Sequence, residues 1–476
     1  MRWETLERQN VGTLLAAMVA VVALGVTCEG ESRYLVENAI PRAGARMTAS
    51  ARLLPEFFCT ARAYGGAGYD DFQRRSMKEL GIDYVQGLVD FTWGNIERGD
   101  NVWKWIATDE QMDQLAQAGL KVIASLICPK SPGLPWDARV NRADPRFAAQ
   151  YGEFAYQVVN RYHDHPAWSG LIAVWGGSAD VWDRNYHETD PEVVIRNLNA
   201  AYDGVKRADP TTIVIGFNFA TTAHSPQEWE EYHRRAFACG PKFDWYGAQS
   251  HGVLATCLEQ PGAYAGVVGL LNVRKFLDEH GYADKPLWLN EGGYSCGDDL
   301  GGLPEQVHAE QVVETYIVAR TLHANVKGWV YFEYFSKTHL FEESSADPGL
   351  MTSLDQHNPP QPRPAWSGLQ TLIKTVRFFD YDFDARISGE YNEPVPPFVY
   401  RFHDRNEPSS LLWVAFSGCG TAKRKPVTQD VTIGIAPASQ ATLIDMLGTR
   451  RTVRADPSGN VTVTATNSPI YLKAGE

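Results

Sequence analysis

The stretch Pro286-Leu-Trp-Leu-Asn-Glu291-Gly-Gly-Tyr294-Ser carries the most informative carboxylate in the chain. A short apolar run ends abruptly in Glu291, and the two glycines behind it free the backbone to turn away. An apolar strand is an odd setting for an ordinary surface glutamate. A carboxylate held at such a rim attacks, or stabilises, an oxocarbenium-like centre. Trp93, Trp136, Trp175, Trp182, Trp288 and Trp329 fall at or near predicted strand ends, and the chain is 12% aromatic. Two or three of these rings are expected as flat platforms for C–H faces, and the remainder as core. His163 and His165 have the spacing of metal ligands, but they stand at a helix end before Pro166, where capping accounts for them. No metal and no cofactor is expected.

The elements that must position Glu291 lie between residues 55 and 375. Strand-like runs at Tyr84–Val89, Lys121–Ile127, Leu171–Trp175, Thr212–Phe217, Trp245–Gln249, Leu287–Leu289 and Gly328–Phe332 alternate with amphipathic stretches. Among the latter, Pro145–Tyr162 sets Phe147, Tyr151, Phe154, Ala155 and Val158 at helical spacing, and Pro191–Ala208 does the same with Val194, Leu198, Ala201 and Val205. Further helices are expected at Gln111–Gly119, Val267–His280 and Pro304–His323. Such alternation implies parallel strands with right-handed crossovers. No Gly-x-Gly-x-x-Gly turn follows the first strand, so a closed α/β barrel, the (β/α)8 TIM barrel, fits better than an open doubly wound sheet. Chemistry then belongs at the C-terminal ends of the strands. After residue 375 short strand-like runs at Pro394–Tyr400, Leu411–Phe416, Val427–Ile435, Ala441–Met446 and Val461–Thr466 alternate with turn clusters, the pattern of a small β-sandwich.

Several motifs then agree in order. Trp93-Gly-Asn-Ile96-Glu97-Arg-Gly99-Asp-Asn-Val-Trp103-Lys-Trp105 resembles the signature after the second strand of the large clan of (β/α)8 retaining glycosidases. Ala208-Asp209-Pro210 resembles the entry to the clan's fifth strand, and Phe243 to His251 its sixth strand, which ends in His. Pro286 to Ser295 resembles the seventh, which holds the nucleophile, and Gly328 to Phe332 the eighth. Gly349-Leu-Met351 and Arg363-Pro-Ala-Trp366 resemble the tail that closes these barrels. Asp445 to Gly448 and Ser468 to Leu472 resemble the accessory sandwich of relatives of the β-xylosidase and α-iduronidase family. The resemblance covers about residues 55 to 473 and implies a glycosidase of retaining type, with Glu291 as nucleophile. It also implies that His251 orients that nucleophile or contacts a hydroxyl; plain packing at a strand end is the competing account. Tyr294 and Tyr334 stand as donors to Glu291 or to substrate, or as packed phenols.

One landmark departs from the pattern. The clan's fourth strand ends in Trp-Asn-Glu-Pro, where Glu is the acid/base and Asn binds the sugar's 2-hydroxyl; here Trp175 is followed by Gly176 and Gly177. Retaining cleavage uses two carboxyl groups about 5 Å apart, and glycine supplies none. Asp180 is the expected substitute acid, with Asp183, Glu188, Glu97 and Glu333 as further carboxylates near the rim. Trp93, Glu97, Trp175, His251, Tyr294, Trp329 and Glu333 are the expected substrate-binding residues. Two functions follow: a glycoside hydrolase with a weakened acid/base, or a carbohydrate-binding pseudoenzyme on the same fold.

The remaining features bound the setting. With 44 Lys+Arg against 57 Asp+Glu the net charge is −13, which disfavours a nucleic-acid partner. Residues Val11 to Val26 form an uncharged apolar run followed by Thr27, Cys28 and Glu29-Gly-Glu31, the layout of a signal peptide or membrane anchor over 1–30. The chain divides into that leader, a linker at 31–54, a barrel at 55–375 and a sandwich at 376–476. The expected location is extracellular or in the cell envelope, the expected partner a carbohydrate substrate, and membrane contact arises only through the leader. Seven cysteines contain no C-x-x-C pair; Cys239 and Cys257 are the closest two.

Overall fold

The computed structural model describes residues 58–61, 70–99, 101–126, 143–174, 190–220, 226–249, 266–293, 304–322, 324–332, 334–335, 349–352, 359–382, 397–417 and 428–475. Eight parallel strands close a barrel: β1 (Phe58–Ala61), β2 (Tyr84–Gln86), β5 (Lys121–Leu126), β6 (Trp168–Val174), β7 (Ile213–Ala220), β8 (Trp245–Gln249), β9 (Leu287–Gly292) and β10 (Val326–Tyr331), which pairs back onto β1. A small excursion, β3 (Glu97–Gly99) against β4 (Val102–Trp103), interrupts the series after β2. The helices around the barrel are α1 (Asp70–Leu80), α2 (Trp93–Ile96), α3 (Ile106–Gln117), α4 (Pro145–Tyr162), α5 (Pro191–Ala208), α6 (Pro226–Ala238), α7 (Gly266–Glu279), α8 (Glu305–Thr321) and α9 (Pro364–Val376).

The two longest helices among the described residues start where their sequence dictates. Asp144 and Asp190 cap α4 and α5, each accepting a backbone N–H two residues on, and proline occupies the first helical position of both. Their apolar stripes are buried as the spacing predicts. Helix α8 differs, being buried on all sides from His308 to Thr321, polar residues included. It lies between the barrel and the C-terminal sheets: Glu310 on α8 accepts the Ser468 hydroxyl at 2.5 Å, and Arg320 donates to the carbonyl of Phe379.

Those sheets are a six-stranded one ordered β11 (Phe379–Tyr381), β12 (Pro397–Asp404), β13 (Leu411–Ser417), β18 (Ile470–Ala474), β15 (Gln440–Ile444), β16 (Arg450–Arg454), and a two-stranded one, β14 (Gln429–Gly434) with β17 (Asn460–Ala465). One face of the larger sheet, with Phe402, Val414 and Tyr471, joins the core that surrounds the barrel; the other, with Trp413, Leu443 and Leu472, meets Ile433 and Val463 of the smaller sheet. The expected architecture, a TIM barrel followed by a β-sandwich, is the one observed.

The sequence pattern omits the first barrel strand and three of the sandwich. Only four residues long, β1 is held by β10 on one side and β2 on the other, pairings that no local pattern announces. On β16, Arg450-Arg-Thr-Val-Arg454 is an edge whose charges hide the alternation and guard the edge from further pairing.

Candidate active site

The barrel lumen is floored by Ile123, Leu171, Ala173, Ile215, Trp245, Trp288 and Val330, a cluster separate from the core between strands and helices. Trp245 and Trp288 stack there with ring centroids 5.7 Å apart. The two indoles fit because β10 has no side chain at Gly328, where a Cβ would lie 2.4 Å from the Trp288 ring.

Above this floor, alternation along β8 turns Trp245 and Gly247 into the lumen and Tyr246 outward onto His233, whose imidazole it meets at 2.7 Å. Gln249 follows on the lumen side. On β9, Leu287 and Leu289 face the helices and Trp288 the lumen, so strict alternation would turn Glu291 outward. The register prevents this. Leu289 pairs with Ala248 and Glu291 with Gln249, while on the other side Leu289 pairs with Trp329 and Gly292 with Tyr331. One extra residue is accommodated in β9 against both neighbours, a bulge at Asn290. It brings Glu291 level with Gln249, whose Nε2 donates to Glu291 Oε2 at 3.2 Å. The carboxylate is half-buried, at the C-terminal mouth of the barrel.

Other lumen positions of the barrel strands carry buried polar groups. Gln86 pairs across from the lumen residue Ile123, Ser125 across from Ala173, and Asn290 stands two residues beyond Trp288. These three are at most 6% exposed, yet Gln86 Oε1, Ser125 Oγ and both amide atoms of Asn290 meet no hydrogen-bond partner among the described residues. Buried groups of this kind are almost always paired.

Several expected site residues take other positions. Trp93 is fully buried in the outer layer, stacked on Phe154 at 5.6 Å and flanked by Phe147 and Tyr151. Both of its faces are covered by protein, so it is no platform for a ligand. Its indole N–H donates to Glu97 at 2.5 Å, and the second Glu97 oxygen accepts the backbone N–H of Asn101 at 2.8 Å. Glu97 is 3% exposed and braces the β3–β4 excursion; the substrate-binding expectation for it is corrected to a structural one. Trp329 also points out of the barrel, 4.2 Å from the Tyr316 ring on α8, and is likewise a packing residue. Trp288 belongs to the lumen floor. Tyr334 does not reach Glu291: its hydroxyl donates to Ser76 at 2.8 Å and accepts the Trp366 indole N–H at 3.1 Å, and burial raises its phenol far above the ordinary value. Trp175, Asp180, His251, Tyr294 and Glu333 lie outside the described residues, as do Gly176, Gly177, Cys257 and the apolar run at 11–26.

His163 and His165 make local contacts at the end of α4, His163 Nδ1 with the Val159 carbonyl at 3.1 Å and His165 Nδ1 accepting the Ala167 N–H at 3.2 Å. Among the described residues no group of three or more His, Cys, Asp or Glu side chains is arranged to hold a metal. Gln249, which donates to Glu291, and Asn290, which precedes it, are legible in the sequence only in part. Gln249 follows Trp245 at even spacing on an expected strand, whereas Asn290 enters the lumen beside a bulge with no sequence signature.

No family model and no curated protein matches the chain. Solved structures with the same fold include a family 39 glycoside hydrolase from Bacteroides cellulosilyticus, with TM-score 0.64 and 13% identity over 89% of this chain and 82% of that one. A monomeric β-xylosidase from Caulobacter crescentus superposes with TM-score 0.57 and 14% identity over 88% of this chain and 95% of its own. A bacterial orthologue of human α-L-iduronidase gives 0.58 and 12% over 88% and 81%. The chain therefore has the fold of (β/α)8 glycoside hydrolases of this type.

Proposed function

We propose that this protein is a glycoside hydrolase of retaining type acting on O-glycosyl bonds of oligo- or polysaccharides, with Glu291 as nucleophile. The observation that carries the reading is the β9 bulge, which aims Glu291 into the C-terminal mouth and gives it the Gln249 amide as a donor. That amide donor orients the carboxylate whose other oxygen would attack an anomeric carbon. The shared fold of the neighbouring glycosidases supports the same substrate class. Attack by Glu291 forms the glycosyl-enzyme ester and breaks the glycosidic bond. The leaving oxygen takes its proton from the acid, for which Asp180 is the candidate, and water then returns the sugar with the same group acting as base.

A second reading, a carbohydrate-binding pseudoenzyme, is favoured by Gly176 and Gly177 at the positions where the resemblance expects Asn and Glu. Loss of one positioned acid costs roughly 10² to 10⁴ in rate, and least for leaving groups that need no protonation. The two readings separate on activated aryl glycosides. Under the first, the protein releases the aryl group, a fluoro-glycoside labels Glu291, and Glu291→Gln abolishes both. Saturable glycan binding with no labelled Glu291 selects the second; turnover unchanged in Glu291→Gln refutes the first. Export through the N-terminal apolar run is part of this proposal, and secretion of the full chain but not of one lacking residues 1–30 tests it.

A further inference from the structure

Where the last barrel helix meets the sandwich there is an open pocket of about 230 Å³. One wall is a face of α9, with Thr371, Lys374 and Thr375; the other is the β15–β16 hairpin, with Ile444, Leu447 and Arg450. Gly448 allows the two to approach. At φ 96° it holds the hairpin turn in left-handed backbone, and a Cβ there would lie 3.1 Å from Thr371 Oγ1. Lys374 and Arg450 are exposed and Leu447 is 53% exposed, so solvent reaches the pocket. Helix α9 runs back from the mouth of the barrel and Lys374 stands in its last turn, which sets this pocket apart from Glu291.

Charge singles the place out. The chain carries 57 acidic against 44 basic side chains, and cations elsewhere meet carboxylates: Arg161 meets Asp109, Lys206 Asp244, Lys242 Asp203 and Arg405 Asp380. Among the described residues neither Lys374 nor Arg450 has an ion-pair partner, and no acidic side chain lines the pocket. Asp445, in the hairpin turn, spends its Oδ1 on the backbone N–H groups of Leu447 and Thr449 at 3.0 and 2.9 Å. The positive charge continues along the edge strand. Arg450 pairs across from Ile444, and Arg454, on the same face of β16, follows about 13 Å further along at strand spacing. Two like charges that face one space repel, and an anion seated between them removes the repulsion.

We propose that this pocket binds an acidic sugar unit of a glycan, with Lys374 and Arg450 on its carboxylate or sulfate group and the Thr371 and Thr375 hydroxyls beside its ring. Arg450 suits such a planar or branched oxyanion through its forked donors, and Arg454 takes the next charged unit of a chain lying along β16. The ligand's charge rests on this pocket, whereas its being a saccharide rests on the proposed function. An acidic peptide added to the β16 edge is disfavoured by the arginines that guard that edge.

The test is calorimetric titration of the full chain with trigalacturonic acid, with uncharged maltotriose, blocked triglutamate and sodium sulfate alongside. Trigalacturonate is expected to bind tightest. Lys374→Gln/Arg450→Gln should weaken it by roughly five- to thirtyfold, the worth of two exposed charge contacts, and flatten its dependence on salt. Arg234→Gln/Lys275→Gln removes the same charge from cations that already face Glu231 and Glu279, and should bind as the wild type does. Both double variants should keep the wild-type melting midpoint and aryl-glycoside turnover. Trigalacturonate that fails to bind, binds equally to Lys374→Gln/Arg450→Gln, or is weakened as much by the control pair overturns the proposal. Triglutamate or sulfate binding as tightly overturns the sugar assignment and leaves an acidic-peptide or simple anion site. Trigalacturonate bound without labelled Glu291 refutes the hydrolase reading and keeps this one; labelled Glu291 without trigalacturonate binding does the reverse.

Discussion

Replacing Asn290 with leucine should make the protein more stable and a poorer binder of saccharide. Asn290 is 1% exposed and neither its Nδ2 nor its Oδ1 meets a partner among the described residues. A buried amide in that state costs about 1–3 kcal/mol in proteins, and leucine has similar size with no polar atom to desolvate. The position is a strand residue above Trp288, where an apolar side chain extends the lumen floor. Taking about 2 kcal/mol as the gain, and an unfolding entropy of roughly 0.6 kcal/mol/K for a barrel of about 300 residues, the melting midpoint rises by about 3 °C. Thermal unfolding followed by circular dichroism reads the shift, and a denaturant titration checks that the slope with denaturant is unchanged. In the same variant the affinity for aryl glycosides should drop, since one amide of the lumen is lost. A lowered midpoint would show that Asn290 is satisfied in solution.

Two further outcomes follow from buried groups away from the mouth. Glu314 on α8 is fully buried; burial first, and the charge of Glu310 second, hold its carboxyl well above the ordinary value. With the folded value raised, its contribution to stability is complete below the unfolded value near 4.3 and is lost as pH rises toward the folded one, at about 1.4 kcal/mol per pH unit. Glu314→Gln should flatten that slope in denaturant titrations across the window, and an identical slope in both proteins would show Glu314 ionised in the fold. Trp93→Phe should cost about 1.5–3 kcal/mol by depriving the buried Glu97 carboxylate of its indole donor, while leaving saccharide affinity unaltered. Lost affinity at full fold would return Trp93 to the binding site.

Much of the barrel was legible because its elements are locally consistent. Pro145 and Pro191 behind capping aspartates, and apolar stripes at helical spacing, are observed where the pattern sets them. The aromatic residues show the boundary of such reading. Trp93 and Trp329 stand in expected elements near expected strand ends, yet both face the helices. Whether a ring meets ligand or Phe154 depends on which side of the strand it leaves, and neighbouring elements decide that. The short β1 and the charged β16 were illegible for a related reason, since each exists through its partners.

From the residues alone come the alternating strand and helix order, the parallel barrel it implies, the sandwich that follows, and a carboxylate at the end of an apolar run. Tertiary structure decided which way the side chains point. Alternation along Leu287, Trp288 and Leu289 predicts an outward Glu291, and one extra residue at Asn290, measurable only against β8 and β10, turns it to Gln249. The left-handed turn at Phe217 places Asn218 beside the end of β6 in the same way. A one-residue change of register exchanges the two faces of a strand. Register belongs to pairs of strands, and a single sequence displays only one partner at a time.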